Sequence, residues 1–195
     1  MRPYRSFAGS PAIRHFQEST CIATAVIKIG DPVSFDTVVT TGTRRLVRAP
    51  SSAGTSTNLL EVLTQSLIGV SVEASTSDGS TTGLLADGAA GNRSIRTLAV
   101  AIANGVTEYL GYISTLGAGG QGHVSASSMI GLNYAIIHDR TLGRFFIDST
   151  NSTAALVTAV VTDIPSEAIG DTNGPVVFKF LSSNVSRAVR TSPFV

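Results

Sequence analysis

The sequence has few of the residues that cross-link, charge or anchor a protein. It holds one cysteine and no tryptophan, and charged residues make up 14% of its 195 positions, against ~25% in an average soluble domain. The single thiol, Cys21, excludes an internal disulfide, and we interpret it as a small buried hydrophobe. A chain of this length buries a sufficient core without a metal, and we expect no cofactor.

Long apolar runs and a strong net charge are also missing. No stretch approaches the ~18 residues of a membrane span, and the opening residues contain no apolar signal-peptide region. We therefore expect neither secretion nor membrane insertion. The net charge of +1 provides no overall field that favours nucleic acid. Few charges and many Ser and Thr hydroxyls suit a surface that packs against other protein, although an ordinary β domain with a hydroxyl-rich face is the alternative.

What the sequence does contain is repeated alternation of apolar and polar residues with a period of two. Ile68, Val70 and Val72 share one face of a predicted strand, and Tyr134 and Ile136 share one face of another, together with Ile130 and Leu132. The pattern predicts an all-β fold of about ten short strands in one or two small barrels or sandwiches. Weaker alternation marks residues 22–29, 33–39, 44–49, 95–103, 106–113, 144–148, 155–163 and 176–181.

Turns with definite chemistry separate these strands. At the first, Gly30 allows a positive φ, Asp31 can bond the turning backbone, and Pro32 fixes φ where a strand begins. A second turn, at residues 170 to 174, leads to Pro175 at the first position of the last strand, where its missing N–H does least harm. The segment "IIHDRTLGRFFID" predicts a hairpin that turns at residues 141 to 143.

Only "TNLLEVLTQS", residues 57 to 66, has the spacing of a helix, with Thr57 or Asn58 as its cap. Changes in residue composition along the chain suggest five segments. We predict an N-terminal arm at 1–20, a first β module at 21–115, a Gly/Ser-rich linker at 116–128, a second β module at 129–181 and a C-terminal arm at 182–195.

Both predicted arms combine arginine with scattered aromatic residues and proline. Such segments cannot bury themselves, yet their aromatic rings are poorly suited to a purely solvated tail. We expect extended arms that order on a neighbouring surface, while frayed termini that touch nothing are the alternative. The candidate partner-binding residues are Arg2, Tyr4, Arg5, Phe7, Arg14, Phe16, Arg187, Arg190 and Phe194.

The densest positive cluster is Arg44, Arg45 and Arg48, and we add it to the partner-binding candidates. Twelve arginines against two lysines favour interfaces that use bidentate, weakly hydrated cations. Inter-subunit or intramolecular salt bridges, with Glu61 or Glu73 as nearby acids, are the favoured interpretation. A phosphate backbone is the weaker alternative, because no aromatic residues accompany the cluster for base stacking.

Motifs for catalysis are missing. The chain has no Gly-x-Ser-x-Gly, no His-Glu-x-x-His and no Walker loop, and "GAGGQG" precedes a Ser-rich stretch where a phosphate site needs a helix. His138 with Asp139 or Asp148 and some serine can be written as a hydrolase triad, but so many serines make that combination uninformative. We expect no enzyme and no catalytic residue.

With these residues in view, the chain resembles the capsid decoration (cement) proteins of tailed bacteriophages over residues 22 to 181. The resemblance is a pattern of turns and strands without a chemical signature. In the first half it comprises "AVIKIGDPVSFD", "RRLVRAP", "LIGVSVEAST" and "LLADGAAGNRSIRTLAVA"; in the second half it comprises "IGLNYAIIHDRTLGRFFIDST" and "VTDIPSEAIGDTNGPVVFKFL".

The resemblance implies a virion structural protein on the capsid exterior. Such a protein binds the major capsid protein of the shell, clasps neighbouring capsomers and stabilises the head against the pressure of packaged DNA. A homo-oligomer, with a trimer as the natural guess, follows from the rotational symmetry of the shell. The alternative is a carbohydrate-binding or host-recognition β module of a phage tail or fibre, which needs exposed aromatic side chains to stack on sugars.

Overall fold

The computed structural model describes residues 1–6, 11–18, 27–35, 45–48, 60–62, 67–74, 97–114, 123–139, 144–150 and 158–181. In these residues the fold is all-β, as predicted. Two short 3-10 helices, Ser127–Met129 and Ser166–Ala168, interrupt the strands. The strands are β1 (Arg2–Ser6), β2 (Ile13–Glu18), β3 (Pro32–Phe35), β4 (Arg45–Arg48), β5 (Leu60–Val62), β6 (Leu67–Ser71), β7 (Thr97–Ile102), β8 (Thr107–Ser114), β9 (Asn133–Asp139), β10 (Arg144–Asp148), β11 (Ala159–Asp163) and β12 (Pro175–Phe180).

Five strands close into a first barrel in the order β2-β4-β3-β6-β7. Their β-branched and leucine side chains fill its interior, which accounts for the near-continuous apolar runs of β6 and β7. Closure removes the exposed strand edges that would otherwise pair with other chains. The fully buried side chains include Val33, Leu67, Val70, Leu98, Val100 and Ile102.

The remaining strands form a second sheet in which the pairings β8-β10-β9-β11-β12 return to β8, so that these five also make a closed ring. We call this ring the second barrel. Two further strands extend it, β1 on β8 and β5 on β9. Aromatic side chains pack together in its core, where the ring centroids of Tyr109 and Phe180 lie 5.0 Å apart and those of Phe178 and Phe180 lie 5.4 Å apart.

The two barrels have the same topology. Numbered within each barrel, the strands follow the order 1-3-2-4-5, the first and third strands are parallel, and every other pair is antiparallel. The register is also the same. Pro32–Val70 in the first barrel corresponds to Asn133–Val160 in the second, and Val33–Gly69 corresponds to Tyr134–Ala159. Likewise, Phe35–Leu46 corresponds to Ile136–Ile147, and Ser71–Val100 corresponds to Val161–Phe178.

The hydrogen bonds before the second strand of each barrel repeat as well. Gly30 N donates to Ser71 O at 2.8 Å, and Gly131 N donates to Val161 O at 2.8 Å. In return, Ser71 N donates to Asp31 O at 2.9 Å, and Val161 N donates to the carbonyl oxygen of Leu132 at 3.0 Å. Ten of the described strands therefore form one five-stranded unit twice, which we call the internal duplication.

The Gly-Asp-Pro turn forms as predicted. Gly30 has φ +90°, the Asp31 carboxylate accepts a 3.0 Å bond from Lys28 N, and Pro32 opens β3. The later turn also agrees, because Gly170 has φ +95° and Pro175 opens β12. The predicted hairpin is confirmed by the antiparallel pairing of β9 with β10, although its turn at 141–143 lies outside the described residues.

Two local predictions are wrong. Residues 60 to 62, expected within a helix, form β5, which pairs antiparallel with residues 137 to 139 of β9. The N-terminal segment is not an extended arm, since β1 pairs with β8 and β2 completes the first barrel. Both segments obtain their backbone hydrogen bonds from strands far away in the sequence, which local composition does not report. The C-terminal arm at 182–195 lies outside the described residues.

Strand pairing also crosses the predicted boundaries between modules. β1, β5 and β8 precede residue 116, yet all three pair within the second sheet. In the predicted linker, residues 123 to 128 are described, and they are held by the bridge of Val124 with Thr172 and by backbone bonds of Ser125 with Gly170 and Asp171. The predicted division therefore does not separate the two sheets.

Candidate functional site

Three tight turns in the structure share the dipeptide Ile-Gly. In each, the residue after glycine donates its N–H to the carbonyl oxygen of the residue before isoleucine, at 3.0, 3.1 and 3.1 Å respectively. Each glycine has a positive φ, of +90°, +84° and +95°. That conformation at the third position is typical of a type II turn and explains why glycine is required there. The turns are residues 28–31 (KIGD), 129–132 (MIGL) and 168–171 (AIGD).

The isoleucine of each turn faces solvent. Ile29 is 66% exposed, Ile130 44% and Ile169 49%. Ile130 (φ −65°, ψ 130°) and Ile169 (φ −65°, ψ 122°) have the backbone angles of the second position of a type II turn. A β-branched apolar side chain at a turn corner gains nothing from the turn itself, so its exposure calls for another explanation.

In the second barrel, Ser125 anchors the turn at residues 168–171. Its hydroxyl donates to Ala168 O, its N–H donates to Asp171 O at 3.0 Å, and its carbonyl accepts from Gly170 N at 2.8 Å. The turns at 129–132 and 168–171 each begin at the last residue of a 3-10 helix. The side chain of that residue, Met129 or Ala168, is buried in the core. Because that residue is anchored inward, the next residue, isoleucine, points outward.

These turns expose an apolar group at one end of the second barrel, which we call the turn cluster. Its members are all between 44% and 51% exposed, and exposed Glu167 and Asp171 lie beside them. Exposed apolar side chains at the same end of a barrel, with acidic residues next to them in the sequence, mark a candidate interaction site. The turn cluster consists of Val124, Ile130, Leu132 and Ile169.

The sequence prediction for two of these residues is wrong. Ile130 and Leu132 were expected on the apolar face of a strand, but β9 starts at Asn133, and both residues lie in the preceding turn. The recurrence of Ile-Gly marks these positions as turns, since glycine suits the positive φ of the third turn position, but it does not report which side chains are exposed.

The predicted partner-binding residues do not form one site. Arg2 and Tyr4 are exposed on β1 beside the second barrel, whereas Arg14 and Phe16 lie half-buried on β2 of the first barrel. Phe16 packs against the core. Arg5, Arg45 and Arg48 lie in β1 and β4, but their side chains are outside the described part, as are residues Phe7, Arg44, Arg187, Arg190 and Phe194.

The histidine and aspartates of the alternative hydrolase triad do not come together in the structure. His138 pairs with Phe145, on which its ring stacks at a centroid distance of 4.5 Å, and Asp148 pairs with Ala135 three positions along the strands. Three strand positions span about 10 Å and place the two side chains on opposite faces, and the adjacent Asp139 likewise faces away from His138. Asp148 is buried and accepts bonds from the N–H and hydroxyl of Thr150 at 3.1 and 2.8 Å.

Two other features are absent from the described ranges. Within them, no three His, Cys, Asp or Glu side chains come together as metal ligands would. No helix in the same part of the chain is long and apolar enough to cross a membrane. The glycine-rich "GAGGQG" segment lies outside the described residues.

No family model, no curated protein and no solved structure matches the chain.

Proposed function

We propose that the chain is a virion structural protein of a tailed bacteriophage, a capsid decoration protein that binds the outer shell and clasps neighbouring capsomers. The observation that carries the proposal is the pairing of an internal duplication with outward isoleucine turns. One such turn, at Ile29, belongs to the first barrel, and two, at Ile130 and Ile169, belong to the second. A single chain thus presents similar contact groups on two linked bodies.

Two linked contacts suit a repeating shell. Burying one isoleucine stabilises a contact by only about 1.5–3 kcal/mol, which is too weak to hold two proteins together alone. When two such contacts are joined in one rigid chain, binding of the second becomes intramolecular and raises the overall affinity by about 10²–10⁴-fold. The gain requires a target that repeats at a fixed spacing, as capsomers do.

The border of the turn cluster indicates what the shell protein provides. Glu167 and Asp171 are exposed there, so a basic residue of the major capsid protein fits the rim, while an apolar pocket fits the isoleucines. Rim charges affect mainly the association rate, so attachment should weaken moderately with salt and persist through its apolar part.

Two experiments test the proposal. Mass spectrometry of purified particles of the phage that encodes the chain should find it in heads. In a sedimentation assay with heads stripped of the chain, Ile130→Ser/Ile169→Ser should bind about tenfold or more weakly than the unaltered chain. Val106→Ser, which alters an exposed valine in the β7–β8 turn, is the matched control and should bind normally. Absence from purified heads, or full binding by the double variant, would refute the proposal.

One observation supports the carbohydrate-binding alternative. Tyr4 and Tyr112 are about half exposed on the paired strands β1 and β8, and exposed aromatic rings are what stacking on sugars requires. Under this alternative, the chain should bind defined oligosaccharides on a glycan array, and Tyr112→Ala should abolish that binding. The turn variants above should leave it unchanged.

A further inference from the structure

The chain contains two Asn-Gly pairs, Asn104-Gly105 in the turn between β7 and β8 and Asn173-Gly174 just before β12. An asparagine followed by glycine can cyclise spontaneously, because glycine has no side chain to hinder the approach of its backbone nitrogen to the asparagine side-chain carbonyl. The two pairs lie in very different surroundings, and this difference determines which of them can react.

Three hydrogen bonds converge on the Oδ1 atom of Asn104. The N–H of Val106 donates to it at 3.2 Å, and the N–H and the hydroxyl of Thr107 each donate to it at 2.9 Å. An asparagine that accepts from the backbone two residues ahead forms an Asx turn. Because an amide nitrogen cannot accept from N–H donors, this network holds the oxygen toward the donors and leaves Nδ2 as the group that faces away.

These donors face the atom on which negative charge develops during cyclisation. When a backbone nitrogen attacks the side-chain carbon, the carbonyl oxygen becomes an oxyanion, and preorganised donors stabilise that oxyanion more than they stabilise the neutral amide. The attacking nitrogen belongs to Gly105, which is exposed and has a φ of +78°. A Cβ placed on Gly105 would meet no atom within 4 Å, so the glycine has room to move as the ring closes.

The second Asn-Gly pair lacks each of these features. Asn173 Oδ1 is buried and accepts no hydrogen bond from the described part of the chain, so no donor there stabilises an oxyanion. The Asn173 N–H is held by a 2.9 Å bond to His123 O. Gly174 is buried, and a Cβ added to it would lie 2.6 Å from the Ser125 hydroxyl oxygen, so this glycine has no room to move.

We propose that Asn104 is a self-modification site, at which the chain converts its own side-chain amide to a carboxylate. The Gly105 nitrogen forms a bond to Asn104 Cγ and gives up its proton, the Cγ–Nδ2 bond breaks, and the nitrogen leaves as ammonia. Water then opens the resulting succinimide at either carbonyl carbon and gives aspartate or isoaspartate at this position. The turn joins the first barrel to the second, so the product adds a negative charge to that connection.

Peptide mapping by mass spectrometry tests the proposal on the full chain, aged in mildly alkaline buffer. The peptide that contains Asn104 should gain the mass that separates an acid from an amide at least about tenfold faster than the peptide that contains Asn173. The same chain aged in urea is the control, because both Asn-Gly pairs are then unfolded and should convert at similar rates. Equal conversion of the two asparagines in the folded chain, or none at Asn104, would overturn the proposal.

Substitutions of Thr107 distinguish stabilisation of the oxyanion from simple restraint of the side chain. Thr107→Val removes the hydroxyl donor and retains the buried shape, so conversion of Asn104 should slow by about tenfold. Thr107→Ser keeps the hydroxyl and should convert like the unaltered chain. If the bonds only restrained Asn104, Thr107→Val would speed its conversion, and a rate that rises or stays the same would overturn the proposal. Circular dichroism checks that both variants are folded, and neither measurement depends on binding to heads.

Discussion

The hydroxyl of Tyr109 donates a 3.0 Å hydrogen bond to the carbonyl oxygen of Ala101. Tyr109 belongs to the core of the second barrel, where its ring lies 5.8 Å from that of Phe178, and Ala101 belongs to β7 of the first. Both residues are fully buried and belong to one continuous apolar cluster. The bond therefore links the two duplicated units through their interiors.

Removing this hydroxyl should destabilise the whole protein. We expect Tyr109→Phe to lower the free energy of unfolding by about 0.5–1.5 kcal/mol, because the ring packing is retained and one buried hydrogen bond is lost. Urea unfolding measures the change. Tyr112→Phe is the matched control, since that side chain is half exposed, and it should unfold like the unaltered protein. Equal losses in both variants would contradict the assignment.

The same residue makes stability sensitive to alkali. Burial raises the pKa of Tyr109 well above its ordinary value of about 10. Above about pH 10 the unfolded chain loses this proton while the folded chain keeps it, so stability from this group falls by about 1.4 kcal/mol per pH unit. The stability advantage of the unaltered protein over Tyr109→Phe should therefore shrink between about pH 9 and about pH 11. An advantage that stays constant would argue against a buried phenol.

The duplicated turns offer a matched pair of glycine substitutions. Gly131→Ala should cost about 1–2 kcal/mol, because the φ of +84° disfavours a Cβ that otherwise meets open space. Gly30→Ala has the same backbone strain and must also displace Met1, which adds about 1–3 kcal/mol. Chemical denaturation of both variants measures the difference. If the two cost the same, Met1 does not occupy the position described.

Ser125 and Gly174 should be energetically coupled. A Cβ added at Gly174 would lie 2.6 Å from the Ser125 hydroxyl oxygen, so Gly174→Ala should cost about 1–3 kcal/mol. Ser125→Ala alone should cost about 0.5–1.5 kcal/mol through the lost bond to Ala168 O. The double variant should cost less than the sum by at least about 0.5 kcal/mol, because removal of the hydroxyl makes room. Strict additivity in the double-mutant cycle would contradict this packing.

Local chemistry in the sequence was sufficient to predict the turns and most strands. The Gly30-Asp31-Pro32 turn depends only on the conformational limits of glycine and proline and on one short-range carboxylate bond, so it could be predicted residue by residue. Arg144–Asp148 likewise agrees with its predicted range. The error at 57–66 arose because Leu59, Val62 and Leu63 have helical spacing while Leu60 and Val62 have strand spacing, and pairing with β9 decides between them.

The duplication and the turn cluster were beyond sequence reasoning. The equivalent segments "KIGDPVSF" and "MIGLNYAI" share only Ile-Gly, because a barrel strand requires apolar alternation and not particular residues. The strands β1 and β2 were mistaken for an arm because their antiparallel partners, β8 and β7, lie about 80 to 110 positions further along the chain. Exposure of Ile130 depends on the anchoring of Met129 in the core, and that anchoring is set by tertiary packing.

Because the two barrels have the same topology, a strand of one barrel could pair in the place of its equivalent in the other during folding. Gly69 in β6 is the equivalent of Ala159 in β11, and a methyl group at Gly69 would lie 2.0 Å from Ala101 O. If β11 entered the first barrel in place of β6, the Ala159 methyl would collide with that carbonyl. We expect this clash to disfavour strand exchange between the two barrels, a misfolding route that is characteristic of repeated folds.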